Sequence, residues 1–195
     1  MFVPCYLKPA LVFVVAGCLI AGPGTGIAEV SASLDLTYLG GSSSELAFPR
    51  MAVAVGQDGS IYIAGYTFSQ DFVSSASTSH GDQAGGEEAF VARLTGDLSD
   101  LLGLAVLTGS GSDRATSVAV DGMGRVYIGG HTSSSGFPYT SGAYDSTYNG
   151  TGSSPYGDGD VFVARFDSEL TELQKCTFLG GAGADYSHCL TLDVA

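Results

Sequence analysis

Carboxylates at repeated positions are the residues of this chain best suited to chemistry. Asp158 and Asp160 flank a glycine, and Asp185 ends a Gly-Gly-Ala-Gly-Ala-Asp phrase. Carboxylate oxygens are ligands that Ca²⁺ prefers, and the phrase fits the start of the calcium-binding nonapeptide of β-rolls. The match fails at Ser187, where an apolar residue is required, and no tandem copy follows. The three aspartates are therefore weak calcium candidates, and the alternative is that they are solvated charges in connecting segments.

Other catalytic chemistry has less support in the sequence. His80, His131 and His188 match no zinc-site spacing. Serines are plentiful, but no Gly-x-Ser-x-Gly nucleophile elbow occurs. The residues therefore predict a non-catalytic chain with no cofactor, calcium apart.

The elements that must position these side chains repeat with a period of roughly 70 residues. The phrase Phe-Val-Ala-Arg at residues 90–93 returns at 162–165. Each copy contains four short runs rich in Val, Ile, Phe and Tyr and bounded by Gly, Asp or Ser, which is typical of strands. The predicted strands are residues 51–55, 60–67, 88–94 and 102–108 in one copy, and 115–121, 124–132, 160–167 and 172–179 in the next.

Four strands per copy, with the second strand apolar on both faces, predict an all-β fold of stacked β-propeller blades. Two blades at about 51–108 and 115–179 are flanked by lone strands at about 32–40 and 187–194. Residues 29–195 would then form a partial propeller of about two and a half blades, whereas closed propellers need about four to eight. The sequence is either a piece of a longer protein, which we favour, or a homo-oligomer whose copies close a ring.

Long polar insertions separate the second and third strands, at residues 68–87 and 133–159. Loops of this length are commonly functional or mobile. The second insertion carries aromatic residues that suit contact with a sugar or peptide, or that fold back over the blade, namely Phe137, Tyr139, Tyr144, Tyr148 and Tyr156.

Taken in order, the phrases of the chain resemble the SBBP-type β-propeller repeat of exported bacterial proteins. They include Tyr-Leu-Gly-Gly-Ser at 38–42, Val-Tyr-Ile-Gly-Gly at 126–130 and Val-Phe-Val-Ala-Arg at 161–165. The resemblance covers about residues 32–195 and implies a propeller fold and an extracytoplasmic address. It implies no catalytic residues. The first blade departs from the pattern, with Val73 standing where the family has proline.

The first 28 residues have the order of a secretory signal peptide. Lys8 precedes an apolar run that ends near Ala21, and Gly-Ile-Ala at 26–28 offers small residues for cleavage. An alternative is a lipoprotein signal cleaved before Cys18, which would become the lipidated residue, because Val-Ala-Gly-Cys at 15–18 resembles a lipobox. Both interpretations predict a secreted, periplasmic or cell-surface protein.

The formal net charge of −13 disfavours nucleic acid and anionic membranes as partners. An unidentified protein or glycan is the expected partner, with membrane contact only through a lipid anchor. Cys176 and Cys189 are expected to be unpaired and mostly buried, although a disulfide between them stays open. The function predicted is an exported structural or binding module. The alternative is a fragment of an exported propeller enzyme, a hydrolase or lyase, whose active site lies in other blades.

Overall fold

The computed structural model describes residues 11–16, 34–43, 45–46, 52–74, 78–81, 86–150 and 159–193. In these ranges the regular secondary structure is almost entirely strand. The strands are β1 (Leu11–Ala16), β2 (Leu34–Leu39), β3 (Glu45–Leu46), β4 (Ala52–Val55), β5 (Ile61–Thr67), β6 (Thr78–His80), β7 (Glu88–Leu94), β8 (Leu101–Leu107), β9 (Asp113–Val120), β10 (Val126–Thr132), β11 (Asp160–Phe166) and β12 (Leu173–Leu179). The described helix is α1 (Gln70–Ser74).

The first blade runs from β3 to β8. Its edge is formed by β3 and β4, which both pair with β5 and together provide the first strand. Antiparallel pairing continues from β5 to β7 and from β7 to β8. Every residue of β5 is buried, which agrees with a second strand that is apolar on both faces.

The second blade is the four-stranded antiparallel sheet β9-β10-β11-β12. Its first hairpin is closed by Asp121, whose Oδ1 accepts hydrogen bonds from the amides of Met123 and Arg125, each 2.9 Å long. A bulge interrupts the β9–β10 register between Gly129 and Gly130. The two blades confirm the predicted fold class, a partial propeller that is not closed.

One apolar core joins the two blades. The first blade contributes Tyr62 and Val91, and the second contributes Ile128, Phe162 and Phe178, all at most 1% exposed. A separate core on the other side of the first blade includes Leu39 of β2. The sheet of the first blade is therefore covered on both faces, as stacked blades require.

The long insertions return along the outer edge of each blade. In the first blade β6 pairs in parallel with β8. In the second, the amide of Thr140 donates to the Cys176 carbonyl (3.1 Å) and the amide of Phe178 donates to the Asp145 carbonyl (3.0 Å). The insertions thus satisfy backbone groups of the fourth strand that would otherwise form an open sheet edge.

The segments that flank the two blades differ from the lone strands predicted at about 32–40 and 187–194. At one end β2 pairs antiparallel with β1, which lies inside the predicted signal segment. At the other end no strand forms through Asp193, although one was predicted at 187–194. First strands in this fold pair with the second strand of their own blade, and no described residue after Ser187 supplies such a partner. The segment instead lies along β9, where the Thr116 hydroxyl donates to the Ser187 carbonyl (3.2 Å).

The two cysteines that the structure describes, Cys176 and Cys189, are unpaired, as expected, but only Cys176 is buried. Cys176 is 1% exposed, and burial raises its pKa to about 12. Cys189 is exposed, which corrects the expectation of a buried thiol. It lies in the segment that forms no strand, so no sheet covers it. In the described parts of the chain, no helix is long and apolar enough to span a membrane.

Candidate functional site

A buried polar cluster lies where one blade passes to the next. Glu88 begins β7 and Asp113 begins β9, and their side chains are 1% and 0% exposed. The amide of Gly109, in the connection between blades, donates to Glu88 Oε2 (3.2 Å). Asp113 accepts hydrogen bonds from the hydroxyls of Thr132 (2.5 Å) and Ser134 (2.9 Å). The cluster therefore joins the third strand of one blade to the first and second strands of the following blade.

Burial changes the acidity of both carboxyl groups. It raises the pKa of Glu88 to about 7. It also raises the pKa of Asp113 to about 7, where the charges of Glu88 and Glu87 act in the same direction and the two hydroxyl donors oppose them. Like charges in a dry site disfavour double ionisation, so the charge of Glu88 adds to the rise that burial causes at Asp113.

An ion pair borders this cluster. Arg114 follows Asp113 on β9 and donates to both carboxylate oxygens of Glu87, with Nη2 2.7 Å from Oε1. Its guanidinium also lies over the Tyr66 ring, 4.9 Å from the centroid. Arg114 thus neutralises Glu87. The next residue, Glu88, is buried and accepts a hydrogen bond from a neutral backbone amide.

The hydroxyls of the cluster belong to a Thr-x-Ser phrase that ends the second strand of each blade. The Ser134 hydroxyl accepts the amide of Gly111 (2.7 Å), and the Ser69 hydroxyl accepts the amide of Ser43 (2.9 Å). In both blades the threonine hydroxyl accepts the amide of that serine, at 2.9 and 3.0 Å. The phrase fastens the incoming connection to the blade. Sequence reasoning missed it, yet its recurrence at blade spacing was a signal available in the sequence.

His131, on β10, is a further buried titratable side chain. It is 8% exposed, and neither ring nitrogen has a hydrogen-bond partner. Burial and, secondly, the charge of Arg114 lower the pKa of His131 to about 4, so the imidazole is neutral at pH 7. The ring packs edge-on against Tyr186 (5.6 Å between centroids). Of the other histidines, His80 contacts the Thr78 hydroxyl through Nε2 at 3.2 Å.

Two of the three calcium candidates come together at the end of the second blade. Asp160 is fully buried, and its Oδ2 accepts the amide of Asn149 (2.8 Å) while its Oδ1 has no partner. Asp185 accepts the amide of Gly181 (2.8 Å). A Cβ placed on Gly180 would lie 2.5 Å from Asp160 Oδ1 and 2.9 Å from Asp185 Oδ2, so both carboxylates border one glycine.

Burial first, and the charge of Asp185 among the lesser causes, raise the pKa of Asp160. Asp158 lies outside the described residues. Among the residues that the structure describes, no three His, Cys, Asp or Glu side chains are grouped to hold a metal ion. Calcium binding by this pair stays a prediction.

The aromatic residues of the second insertion divide into two groups. Phe137 is 2% exposed and packs on Phe162 (4.6 Å between centroids), and Tyr148 packs edge-on against Phe178 (6.3 Å). Tyr139 and Tyr144 are 56% and 87% exposed. Phe137 and Tyr148 therefore fold back over the blade, whereas Tyr139 and Tyr144 face solvent. Tyr156 lies outside the described residues.

Comparison with known proteins agrees with the architecture. A family model of the SBBP beta-propeller repeat matches residues 99–138, which run from β8 through β10 into the second insertion. The match confirms the resemblance drawn from the phrases of the sequence. A search of curated proteins found no relative of the chain.

Proposed function

We propose that this chain is an exported, non-catalytic β-propeller repeat module with a structural or binding role at the cell surface or in the periplasm. The observation that carries the proposal is that the buried polar side chains make their hydrogen bonds within the protein, at the junction between blades. Glu88, Asp113 and Ser134 commit their hydrogen bonds to backbone amides and hydroxyls that fasten consecutive blades. Groups committed in this way stabilise the stack and are not presented to a substrate.

Burial supports the non-catalytic part of the proposal. A general acid or base must come within hydrogen-bond reach of the atom it protonates or deprotonates. Glu88 and Asp113 have pKa values near 7 that would suit such a role, but their side chains are 1% and 0% exposed. The perturbed pKa values therefore follow from a dry junction between blades.

Export is tested by the mature N-terminus of the full chain expressed in a bacterial host. Ordinary secretion gives a mature chain beginning at Glu29, whereas lipoprotein processing gives a lipidated Cys18. The matched variant Cys18→Ala leaves the mass of a secreted chain unchanged and blocks maturation of a lipoprotein. Retention of the uncleaved chain in the cytoplasm contradicts export under either interpretation.

The binding role has a separate test on the exposed surface. Tyr139 and Tyr144 are large aromatic side chains in solvent, and such rings supply contact area to sugars and peptides at low entropic cost. We expect the purified chain to bind a cell-surface polysaccharide or peptide, and Tyr144→Ala to weaken that binding without changing the melting temperature. If Tyr139→Ala, Tyr144→Ala and the double variant all bind with unchanged affinity, these tyrosines are not part of the binding surface.

A further inference from the structure

Two cations without a carboxylate partner lie side by side in this acidic chain. Of the arginine and lysine side chains that the structure describes, Arg93, Arg114 and Arg125 form ion pairs. The other two, Arg165 of β11 and Lys175 of β12, form none, and Arg165 Nε is buried without a hydrogen-bond partner. They are in register on neighbouring strands, where like charges directly opposite destabilise a sheet. An anion bound to both would relieve this repulsion.

The first blade supplies a carboxylate at the equivalent position. Arg93 is in register with Gly103, and Glu169 from the turn between β11 and β12 pairs with Arg93 (2.8 Å). A Cβ on Gly103 would lie 2.8 Å from the Glu169 carbonyl oxygen, so this turn needs a glycine beneath it. In the second blade Lys175 stands at the position of Gly103. The same turn therefore does not fit over Arg165, and this face is built for a different contact.

A cleft of ≈ 200 Å³ opens beside the two cations. It lies between the second insertion and the strands β10, β11 and β12, and Ala143 and Val163 make part of its lining apolar. Sites that enclose drug-sized ligands are larger, from about 300 Å³ upward. The cleft therefore has room for one small group, such as a single sugar ring.

Hydrogen bonds hold the lining of the cleft in place. The Thr140 hydroxyl accepts the Cys176 amide (3.0 Å), which fastens the insertion to β12. Lys175 Nζ donates to the Ser141 carbonyl (3.4 Å), which positions the ammonium group and leaves two of its three N–H donors for a ligand. A lining that is already ordered lowers the entropic cost of binding.

Two tyrosines provide aromatic surface in the same cleft. Tyr127 is in register with Arg165, and its hydroxyl donates to Asp121 Oδ2 (3.2 Å), which fixes the ring. Tyr144, from the insertion, is 87% exposed. An aromatic face offers flat apolar contact to the C–H groups of a sugar ring, and a guanidinium binds a carboxylate through parallel N–H groups. The cleft thus combines a carboxylate site with a surface for a ring.

We infer that this cleft binds a sugar acid, one pyranose ring with a carboxylate as in a uronic acid. The carboxylate lies on Arg165 and Lys175, and the ring lies against the tyrosines. Aspartate and glutamate side chains offer the carboxylate without a ring, which favours a glycan over an acidic peptide. The inference rests on the binding role in the proposed function, and it adds the class of ligand and the cations that select it.

The charge of the chain restricts the ligand to an isolated acid. The formal net charge is −13, so a run of anionic sugars that extends beyond the cleft is repelled. Salt screens charges farther apart than about 8 Å at physiological ionic strength, so inside the cleft the adjacent cations decide the interaction. We expect a glycan of mainly neutral sugars with a single acidic ring.

Titration of the purified chain with glucuronate, followed by NMR, tests the inference. We expect saturable shifts at Arg165 and Lys175 with a Kd of about 1 mM. Glucose lacks the carboxylate and acetate lacks the ring, so each should bind at least about tenfold more weakly. Glucose or acetate binding as tightly as glucuronate would overturn the inference, and the glucose result would leave a neutral glycan as the ligand of the module. Binding of neither sugar would overturn the inference and also remove glycans from the proposed function.

Variants of the exposed Lys175 keep the test independent of folding. Lys175→Gln should weaken glucuronate binding about three- to tenfold, Lys175→Glu should abolish it, and Lys175→Arg should retain it. Arg165→Lys keeps the charge but loses the planar pair of donors, so it should weaken binding about tenfold. Glucose binding and the melting temperature, which a structural effect would change, should stay the same in the Lys175 variants. Unchanged glucuronate affinity in Lys175→Glu would contradict the assignment.

Other occupants of the cleft give different results. Acetylglutamate amide binding as tightly as glucuronate would identify an acidic peptide as the partner. Shifts at Lys175 on concentrating the chain without sugar would identify a second copy. Trigalacturonate binding more than about tenfold tighter than galacturonate would identify a polyanion. Each of these outcomes overturns the inference while leaving a binding role for the module.

Discussion

At the scale of single residues, the chemistry of this protein is concentrated in Glu88 and Asp113. Both carboxyl groups have pKa values of about 7 because burial penalises their charged forms. Neutral donors, the Gly109 amide and two hydroxyls, hold them in place without a cation. The junction between blades therefore binds protons more tightly in the folded state than in the unfolded chain.

Replacing Glu88 with glutamine should remove the part of this proton dependence that Glu88 contributes, while Asp113 keeps its own. The folded pKa of Glu88 is raised to about 7 from 4.5, so the stability it contributes is complete below pH 4.5 and is lost as the pH rises through 7. We expect Glu88→Gln to match the wild type near pH 4.5 and to be more stable by about 3 kcal/mol at pH 8. Urea unfolding across this pH range measures the difference.

The opposing titration of His131 cancels in that comparison, because both chains contain it. The pKa of His131 is lowered to about 4 from 6.5, so its contribution is complete above pH 6.5 and is lost as the pH falls through 4. Glu172→Gln on the exposed turn is the control and should leave the pH profile unchanged. A constant difference between Glu88→Gln and the wild type at every pH would contradict the assignment to Glu88.

At the scale of elements, the central strand of the second blade depends on a glycine at its bulge. A Cβ on Gly130 would lie 2.0 Å from the Arg114 carbonyl oxygen and 2.7 Å from the Phe162 ring. The Arg114 backbone and the fully buried Phe162 ring cannot shift far enough to accommodate a methyl group at this position. We expect Gly130→Ala to lower the free energy of unfolding by about 3 kcal/mol. Gly181→Ala, where a Cβ meets nothing within 4 Å, should be near neutral in the same denaturant titration.

The second insertion should behave as a structural element despite its length. Phe137 is 2% exposed and contacts Phe162 and Phe178. Phe137→Ala is expected to cost about 3–5 kcal/mol because the cavity lies under the fourth strand. Tyr144→Ala, on an 87% exposed side chain of the same loop, should change stability by less than about 0.5 kcal/mol. Comparable melting temperatures for the two variants would show that the loop is not part of the core.

The strands could be predicted from the sequence because the spacing of their apolar residues indicates which faces are buried. All eight predicted blade strands overlap observed ones, and β5 is buried on both faces as its pattern indicated. The pairing of β6 with β8 and the helix α1 could not be predicted, because contacts with a distant strand or core stabilise them. The cluster at Glu88 and Asp113 was missed for the same reason, since residues far apart in sequence meet only when blades stack.

At the scale of the whole molecule, stacking distributes stability across the boundary between blades. In repeat proteins each unit adds its own stability and that of the interface with its neighbour. Here the interface includes a shared apolar core, the Arg93–Glu169 ion pair and the carboxylates at the junction. The Glu169 side chain of this ion pair is 62% exposed, and a pair that solvent screens contributes little on its own, so the apolar core stabilises the interface more than the ion pair does.

Leu170→Ala should therefore destabilise the first blade although the residue belongs to the second. Leu170 is fully buried at φ 59°, and a Cβ on Gly103 would lie 3.5 Å from its Cβ. Alanine keeps the same backbone penalty, so the variant reports lost packing, about 2–4 kcal/mol. Hydrogen exchange should show that amides of β7 and β8 lose protection together with those of β11 and β12. Met123→Ala, on a 77% exposed side chain, is the control. Loss of protection confined to the second blade would mean that the blades unfold independently, and the shared core would then be a weak contact between two separate units.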